Sequence, residues 1–299
     1  MTTPTAVIDL GTNTFHLLIA TCNSDEILTE VYRERVFVKL ASNGIETIGA
    51  KPYQTAVYTM LSYKDTLDQY GITTIRAIGT AALRTATNGP DFVKEVFDKT
   101  NIKIELISGE EEARLIHKGV THAVPFNEEN MLIMDIGGGS VEFIIANQDG
   151  IKWAQSFPIG VAVLFQKFHH TDPITATEIQ TMYSALTNLL SPLFQQLTNY
   201  PITALIGASG TFDIVEDFLA EDEKFPLYAR IPIHKFHPFS QQLVQMTLAQ
   251  RLEMEKLPDS RADLIVVALL LIEFIIEKSN INTIYTSAYA MKEGVLLDS

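Results

Sequence analysis

The sequence predicts an α/β protein made of two duplicated lobes, each with the element order βββαβαβα, and a central cleft between the lobes. The main observation is an internal repeat. VIDLGTNTFHLLIA, from Val7 to Ala20, aligns without gaps with IMDIGGGSVEFIIA, from Ile133 to Ala146. Each copy reads as an apolar strand ending in Asp, a turn of small residues and a second apolar strand, which together predict a β-hairpin. A third strand and alternating helices are expected after each hairpin.

The boundary between the lobes is expected within a polar segment at 121–130 that contains Pro125. Such segments are typical of domain boundaries, so we place the N-terminal lobe at 1–125 and the C-terminal lobe at 126–299. The elements predicted in the first lobe are strands at 4–9, 15–22 and 26–36, an amphipathic helix at 52–70, a strand at 73–79, a helix at 90–99, a strand at 102–107 and a helix at 109–119.

The second lobe begins in the same way and then departs from the first. Pro226, Pro232 and Pro238 predict an irregular insertion, because proline interrupts both helices and strands. Helices follow the insertion. Packing of the last helix on the first lobe is kept as an alternative to its place in the second. The elements predicted are strands at 131–136, 140–146 and 151–157, a helix at 174–199, a strand at 203–206, a helix from 211, helices at 239–254 and 260–278, a strand at 282–286 and a helix ending near 297.

Composition excludes several classes of function. The chain has 299 residues, of which 46% are hydrophobic, and a formal net charge of −14. This charge argues against a nucleic-acid binder, which needs clustered Lys and Arg. The apolar run 264–272 is ended by Glu273 and is too short to span a bilayer. With no signal-peptide pattern and one cysteine, Cys22, the chain is expected in the cytoplasm, bound to neither nucleic acid nor membrane.

The two hairpin turns are candidate phosphate-binding loops. Glycine lets successive backbone N–H groups point at one oxyanion, and three consecutive glycines cost more backbone entropy than a plain turn requires. The alternative is that both are ordinary hairpin turns. A third small-residue junction follows a short strand and precedes a helix. The candidate residues are Gly11, Thr12, Asn13 and Thr14 in the first turn, Gly137, Gly138, Gly139 and Ser140 in the second, and Gly207, Ser209 and Gly210 in the third.

Three carboxylates flank the hairpin turns. Asp9 and Asp135 each end an apolar strand at the mouth of a turn. Two such carboxylates facing each other suit a hydrated Mg²⁺ ion, although an Asp at this position is also a common turn or capping residue. Glu142 interrupts the apolar strand after the second turn, so it faces either solvent or the cleft.

Two further residues are candidates for acid–base chemistry and phosphate binding. The segment SGEEEA, 108–113, follows a strand, and a capping box of Ser108 and Glu111 explains those two residues. It explains Glu112 less well, because this residue lies deeper in the helix where the dipole's benefit fades, so this carboxylate is a candidate general base toward water. Arg84 follows a strand end, where it either clamps phosphate or lies on the surface. Arg35 and Lys39 are weaker candidates of the same kind.

Taken together, these motifs resemble the exopolyphosphatase and guanosine pentaphosphate phosphohydrolase (Ppx/GppA) family, within the actin-like ATPase superfamily. The matching stretches occur in the family's order along nearly the whole chain. They are VIDLGTNTFHLLIA, GTAALRTATNG from Gly79, ISGEEEARLI from Ile107, MDIGGGSVEFIIA, IGASGT from Ile206 and KEGVLL from Lys292.

The resemblance implies duplicated actin-like (ribonuclease H-like) lobes and hydrolysis of a terminal phosphoanhydride, with Mg²⁺ or another divalent cation as cofactor. By position it makes Glu112 the catalytic base and Glu142 a second catalytic carboxylate. Asp9 and Asp135 become the metal-side aspartates, and Arg84 contacts phosphate. The family's C-terminal motif differs here, since Ser287 is followed by Ala288 and Tyr289, and the chain is expected to lack the helical extension of longer members.

The expected activity is release of orthophosphate from the end of inorganic polyphosphate, with Glu112 activating an in-line water. An alternative substrate is guanosine pentaphosphate, since the turns would hold phosphate in either case. A kinase of the same fold would need an acceptor and release ADP. A sensor that binds nucleotide or polyphosphate without hydrolysis is the remaining alternative, and a homodimer is left open.

Overall fold

The computed structural model describes residues 3–42, 44–220 and 223–298, and the chain divides into two units that each surround their own sheet. The first unit comprises the chain up to Gly119, the short segment Gly137–Gly139 and the C-terminal segment from Ala290. The second unit comprises Val120–Ile136 and Ser140–Tyr289. Each unit contains one copy of the repeated hairpin, apart from the turn Gly137–Gly139.

The first unit is built on a five-stranded sheet with the strand order β3-β2-β1-β4-β5. The first three strands are antiparallel, whereas β4 and β5 run parallel to β1, so the carboxyl ends of β1, β4 and β5 lie at one edge. The elements up to the unit boundary are β1 (Thr5–Leu10), β2 (Thr14–Cys22), β3 (Leu28–Phe37), α1 (Ala50–Gln69), β4 (Thr74–Gly79), α2 (Ala81–Thr85), α3 (Gly89–Thr100), β5 (Ile104–Leu106) and α4 (Gly109–Ala123).

One face of this sheet carries the core of the first unit. Alternate residues of β1 and β2, such as Ile8 and Phe15, are fully buried in it. The Phe15 ring meets Phe92 of α3 edge to face, at 6.3 Å between centroids. The Tyr63 hydroxyl of α1 donates a hydrogen bond of 2.9 Å to the Phe15 carbonyl oxygen. Helices α1 and α3 are therefore fixed on this face.

The second unit is built on a six-stranded sheet with the strand order β10-β11-β9-β6-β7-β8. Its hairpin β6–β7 repeats the register of β1–β2, and β9 runs parallel to β6. Its elements are β6 (Asn130–Ile136), β7 (Val141–Asn147), β8 (Gly150–Phe157), α5 (Val161–Phe168), α6 (Ala176–Leu189), α7 (Ser191–Asn199), β9 (Ile202–Ala208), α8 (Gly210–Leu219), β10 (Tyr228–Pro232), α9 (Ile233–Gln245), α10 (Leu248–Leu252), α11 (Ile265–Ser279) and β11 (Thr283–Ser287). The last helix, α12 (Met291–Leu297), belongs to the first unit.

Helix α11 accounts for the longest apolar run of the sequence. Its residues 265–272 are all buried in the core of the second unit. A helix that is apolar on every side is typical of such a central position. In the part of the chain that the structure describes, no helix has both the length and the apolar character needed to cross a bilayer.

Helix α12 closes the opposite face of the first sheet, where it packs on β1 and β2. It crosses α4 at two glycines. A Cβ atom on Gly294 would lie 1.9 Å from the Leu115 carbonyl oxygen, and one on Gly119 would lie 2.2 Å from the Ala290 carbonyl oxygen. The two helix backbones can approach this closely only because both positions lack a side chain.

The predicted α/β class with duplicated lobes is confirmed, but several details of the second lobe were wrong. The helix expected at 239–254 is replaced by α9 and α10, which are separated at Met246. The helix expected at 174–199 is two helices that meet at Leu190, and Pro192 favours the new helix start because its missing N–H is not needed there. Helix α5 was missed. Pro232 ends the edge strand β10, where a proline is tolerated. Pro238 lies inside α9 and does not interrupt it.

Candidate active site

The turn between β1 and β2 has buried polar residues. The Gly11 N–H donates to the Thr14 carbonyl oxygen over 3.2 Å. Thr12, Asn13 and Thr14 are all buried. Among the described residues, the buried amide nitrogen of Asn13 finds no hydrogen-bond acceptor. A buried donor without an acceptor costs free energy that an anionic ligand would recover.

The turn Gly137–Gly139 nests against this first turn within the first unit. A Cβ atom on Gly138 would lie 3.0 Å from the Asn13 Cβ, and one on Gly139 would lie 2.7 Å from the Thr12 Oγ1. Both glycines are therefore explained by close approach of one turn to the other. The two small-residue loops that the sequence singled out are in contact.

Arg84 and Glu112 come together at the carboxyl edge of the same sheet. The Thr80 N–H donates to Leu10 of β1 over 3.4 Å, which holds the start of α2 beside the first turn. The Arg84 Nη1 donates to the Ile107 carbonyl oxygen over 2.6 Å and lies 3.6 Å from the Glu112 Oε2. Glu112 is 7% exposed, in the first turn of α4. A buried carboxylate thus lies beside a half-buried guanidinium.

The neighbouring acids of α4 are engaged differently. The Ser108 Oγ accepts a hydrogen bond of 3.2 Å from the Glu111 N–H, as the first half of a capping box requires. The Glu111 carboxylate instead binds Arg114, whose hydrogen bonds lower the pKa of Glu111. Glu110 is exposed. Of the three consecutive acids, Glu112 alone is buried next to Arg84.

Asp135 and Glu142 lie directly opposite each other on neighbouring strands of the second unit. Residues in such a pair have their Cβ atoms about 5 Å apart on one face of the sheet. The Ser209 hydroxyl donates to Asp135, and the Ser156 hydroxyl donates to the Glu142 Oε1 over 2.7 Å. Glu142 is 2% exposed, so the alternative that it faces solvent is wrong.

The third candidate turn has a different construction from the first two. Gly207 lies inside β9, where a Cβ atom would lie 1.9 Å from the Phe212 ring. A Cβ atom on Gly210 would lie 2.1 Å from the Arg261 guanidinium. Packing thus explains both glycines, and their binding of phosphate stays a prediction. Ser209, with φ of 66°, begins α8 and directs its hydroxyl to Asp135.

The divergent C-terminal segment forms a local turn. The Ser287 hydroxyl donates to the Tyr289 carbonyl oxygen over 2.6 Å. Further on, Glu293 is 1% exposed and accepts hydrogen bonds from the Ala290 N–H, at 2.9 Å, and from Arg33, at 3.1 Å. These contacts give Glu293 a role in fixing α12.

Sequence reasoning missed two residues that the structure places beside the candidate site. Ser156 could have been found from strand register, because it lies opposite Glu142 across β7 and β8. Arg261 had no local signal, since it lies far along the chain from the glycine that it covers.

These geometries can be compared with known proteins. A model of the family described as the Ppx/GppA phosphatase family matches residues 18–299. The chain belongs to this family. A solved exopolyphosphatase from Cytophaga hutchinsonii is 36% identical, with a TM-score of 0.94 over 99% of this chain and 98% of the other. The structure of an Aquifex aeolicus Ppx/GppA member, 20% identical, has a TM-score of 0.82 over 100% of this chain and 97% of the other, which supports the fold. The expected actin-like fold is confirmed.

Curated relatives are longer than this chain. A protein named guanosine-5'-triphosphate,3'-diphosphate pyrophosphatase, from Photobacterium profundum, is 28% identical over 98% of this chain and 58% of its own length. A relative of the same name from Vibrio cholerae is also 28% identical and is likewise matched over 58% of its length. This Ppx/GppA chain therefore spans little more than half the length of these relatives.

Proposed function

We propose that this chain is an exopolyphosphatase that releases orthophosphate from the end of inorganic polyphosphate. The observation that carries the proposal is the contact between the two small-residue turns at the sheet edge where Arg84 lies 3.6 Å from Glu112. Backbone amides and a guanidinium suit a phosphoryl group, and a buried carboxylate suits a base. Membership of the Ppx/GppA family supports the same reaction.

In the proposed reaction, a water attacks the terminal phosphorus and the bridging P–O bond breaks. The Glu112 carboxylate accepts one proton of this water, so the product is orthophosphate and the shortened chain leaves with the bridging oxygen. Turn amides and Arg84 hold the non-bridging oxygens, whose charge changes during transfer. Phosphoryl transfer depends mainly on such positioning and electrostatic stabilisation.

Mg²⁺ or another divalent cation is the proposed cofactor. Among the described residues, no three or more His, Cys, Asp or Glu side chains form a metal-binding group. This fits Mg²⁺, which keeps several waters and takes one or two carboxylates. Asp135, hydrogen-bonded by Ser209 and opposite Glu142, offers such oxygens in the second unit, and Asp9 ends β1 in the first. When bound, the cation would neutralise phosphate charge.

Guanosine pentaphosphate is the second candidate substrate, favoured by the names of the curated relatives. We favour polyphosphate as the proposed substrate because the exopolyphosphatase of known structure matches this chain over nearly the full length of both proteins. A cytoplasmic location remains part of the proposal, and the oligomeric state is left open.

The test is orthophosphate release, with Mg²⁺, from long polyphosphate and from guanosine pentaphosphate. We expect Glu112→Gln to abolish release from both while leaving the melting temperature unchanged. Glu110→Gln is the matched control, since it removes an exposed acid of the same helical turn. Turnover that survives in Glu112→Gln would remove this residue from the role of base. No release by the wild-type protein would refute the hydrolase itself.

A further inference from the structure

The two copies of the hairpin have diverged in charge at corresponding positions. In the second unit, Asp135, Glu142 and Ser156 lie in one row across three strands. In the first unit, the corresponding row is Asp9, His16 and Arg35, with Asp9 opposite His16 and His16 opposite Arg35. An acidic row in one copy is thus replaced by a row that ends in a cation in the other.

Arg35 lies on the accessible part of its sheet face. Arg33, two residues earlier on the same face of β3, is bound by Glu293 of α12 at 3.1 Å and by Glu30 at 2.7 Å. Arg35 lies one row nearer to the glycine turn and is exposed, while Asp9 and His16 are half-buried. Helix α12 therefore covers one end of this face and leaves the end beside the turn accessible.

Lys39 is held beside the same turn by its backbone. The Val38 and Lys39 N–H groups both donate to the Asn13 carbonyl oxygen over 3.0 Å, and the Leu40 N–H donates to Thr12 over 2.8 Å. Lys39 has φ of 49°, which a non-glycine residue adopts only where the surroundings fix it. The segment after β3 is thus folded back onto the turn whose Asn13 amide has no acceptor among the described residues.

We propose that Arg35 and Lys39 form a subsite for the inner phosphates of a long polyphosphate chain, next to the turn that holds its reacting end. The subsite rests on the proposed function, because it assigns a substrate class to that site. Two strand spacings, about 10 Å, separate the backbones of β1 and β3, so Arg35 is reached by phosphates beyond the terminal ones. The subsite also explains how a chain of net charge −14 attracts a polyanion, through a local concentration of cations.

The test compares long polyphosphate with tripolyphosphate, in which a single phosphate lies between the two ends. The variants are Arg35→Gln and Lys39→Asn, since asparagine tolerates the left-handed backbone at this position. We expect each variant to raise KM for long polyphosphate about tenfold, the loss of one charge-assisted contact, with kcat unchanged. KM for tripolyphosphate should rise less than KM for long polyphosphate, and rising salt should weaken long-chain binding less in the variants than in the wild type.

Lys103→Gln is the matched control, because it removes an exposed cation at the start of β5, at the opposite edge of the same sheet. Equal KM values for long polyphosphate in Arg35→Gln, Lys39→Asn and Lys103→Gln would overturn the subsite while leaving the hydrolase intact. If the wild-type protein releases no phosphate, the proposed function fails separately. Calorimetric binding of long polyphosphate then decides the subsite, which requires weaker binding by Arg35→Gln than by Lys103→Gln.

Discussion

Replacing Gly139 by alanine tests whether the contact between the two turns is needed for catalysis. The new Cβ would lie 2.7 Å from the Thr12 Oγ1, 2.9 Å from the Ile45 Cδ1 and 3.3 Å from the Ala81 Cβ. Ordinary contacts begin at 3.4 Å, so the Thr12 and Ile45 side chains or the turns themselves must shift by up to about 0.7 Å in a closely packed region. Displacements of this size in a site cost up to about a hundredfold in rate, because positioning is lost.

We expect Gly139→Ala to lower kcat/KM for polyphosphate by roughly ten- to a hundredfold. Overpacking should also lower the free energy of unfolding by about 2 kcal/mol, which corresponds to a melting temperature lower by about 4–8 °C. The assays are steady-state phosphate release and thermal unfolding followed by circular dichroism.

A double-mutant cycle with Thr12→Ala separates the effect of the contact between the Gly139→Ala Cβ and the Thr12 Oγ1 from other effects of the substitution on stability. Removal of the Thr12 Oγ1 takes away the nearest atom, so the double variant should be more stable than the sum of the single changes predicts, by about 0.5–1 kcal/mol. Wild-type kcat/KM and stability in Gly139→Ala would refute the idea that close approach of the turns requires glycine here.

Two further predictions concern stability and its dependence on pH. Gly294→Ala places a Cβ 1.9 Å from the Leu115 carbonyl oxygen, which belongs to the backbone of α4. We therefore expect the free energy of unfolding, measured in urea, to fall by about 2 kcal/mol or more. A variant as stable as the wild type would contradict the tight crossing of α4 and α12. Burial, with the nearby Arg251, lowers the pKa of His169 below its ordinary 6.5. The unfolded chain therefore binds this proton more readily than the folded one, and stability should fall as the pH drops through about 6.5. His169→Gln should flatten this dependence in urea midpoints measured from about pH 7.5 to 5.5, leaving the part due to half-buried His117, whose pKa is also lowered by desolvation. An unchanged pH dependence in His169→Gln would contradict this role of His169.

Local signals in the sequence predicted the repeated hairpins and most of the first unit. Short apolar runs on either side of turns of small residues are sufficient to define β1–β2 and β6–β7, because a hairpin depends on residues that are close in sequence. Proline was a less reliable signal. Pro238 lies within α9, where packing of Phe236 and Leu243 outweighs the lost hydrogen bond.

Part of the candidate site was also predicted, and part was not. Glu112 was singled out because capping explained its neighbours, and the structure buries it beside Arg84. The solvent-facing alternative for Glu142 could be excluded only from the structure, where Ser156 of the next strand donates to it. Arg261 covers Gly210 from a segment about 50 positions later, and no local pattern predicts such a contact.

The sequence by itself determined which residues recur, namely an Asp at the end of a strand, a turn of small residues and a polar residue in the following strand. These features follow from local backbone geometry, which the residue types specify directly. Only the tertiary structure decided that Gly138 and Gly139 pack on Asn13 and Thr12, and that Arg35 extends a row which begins at Asp9. Such contacts depend on strand pairing and close packing between segments far apart in sequence, so they become visible only once the chain is folded.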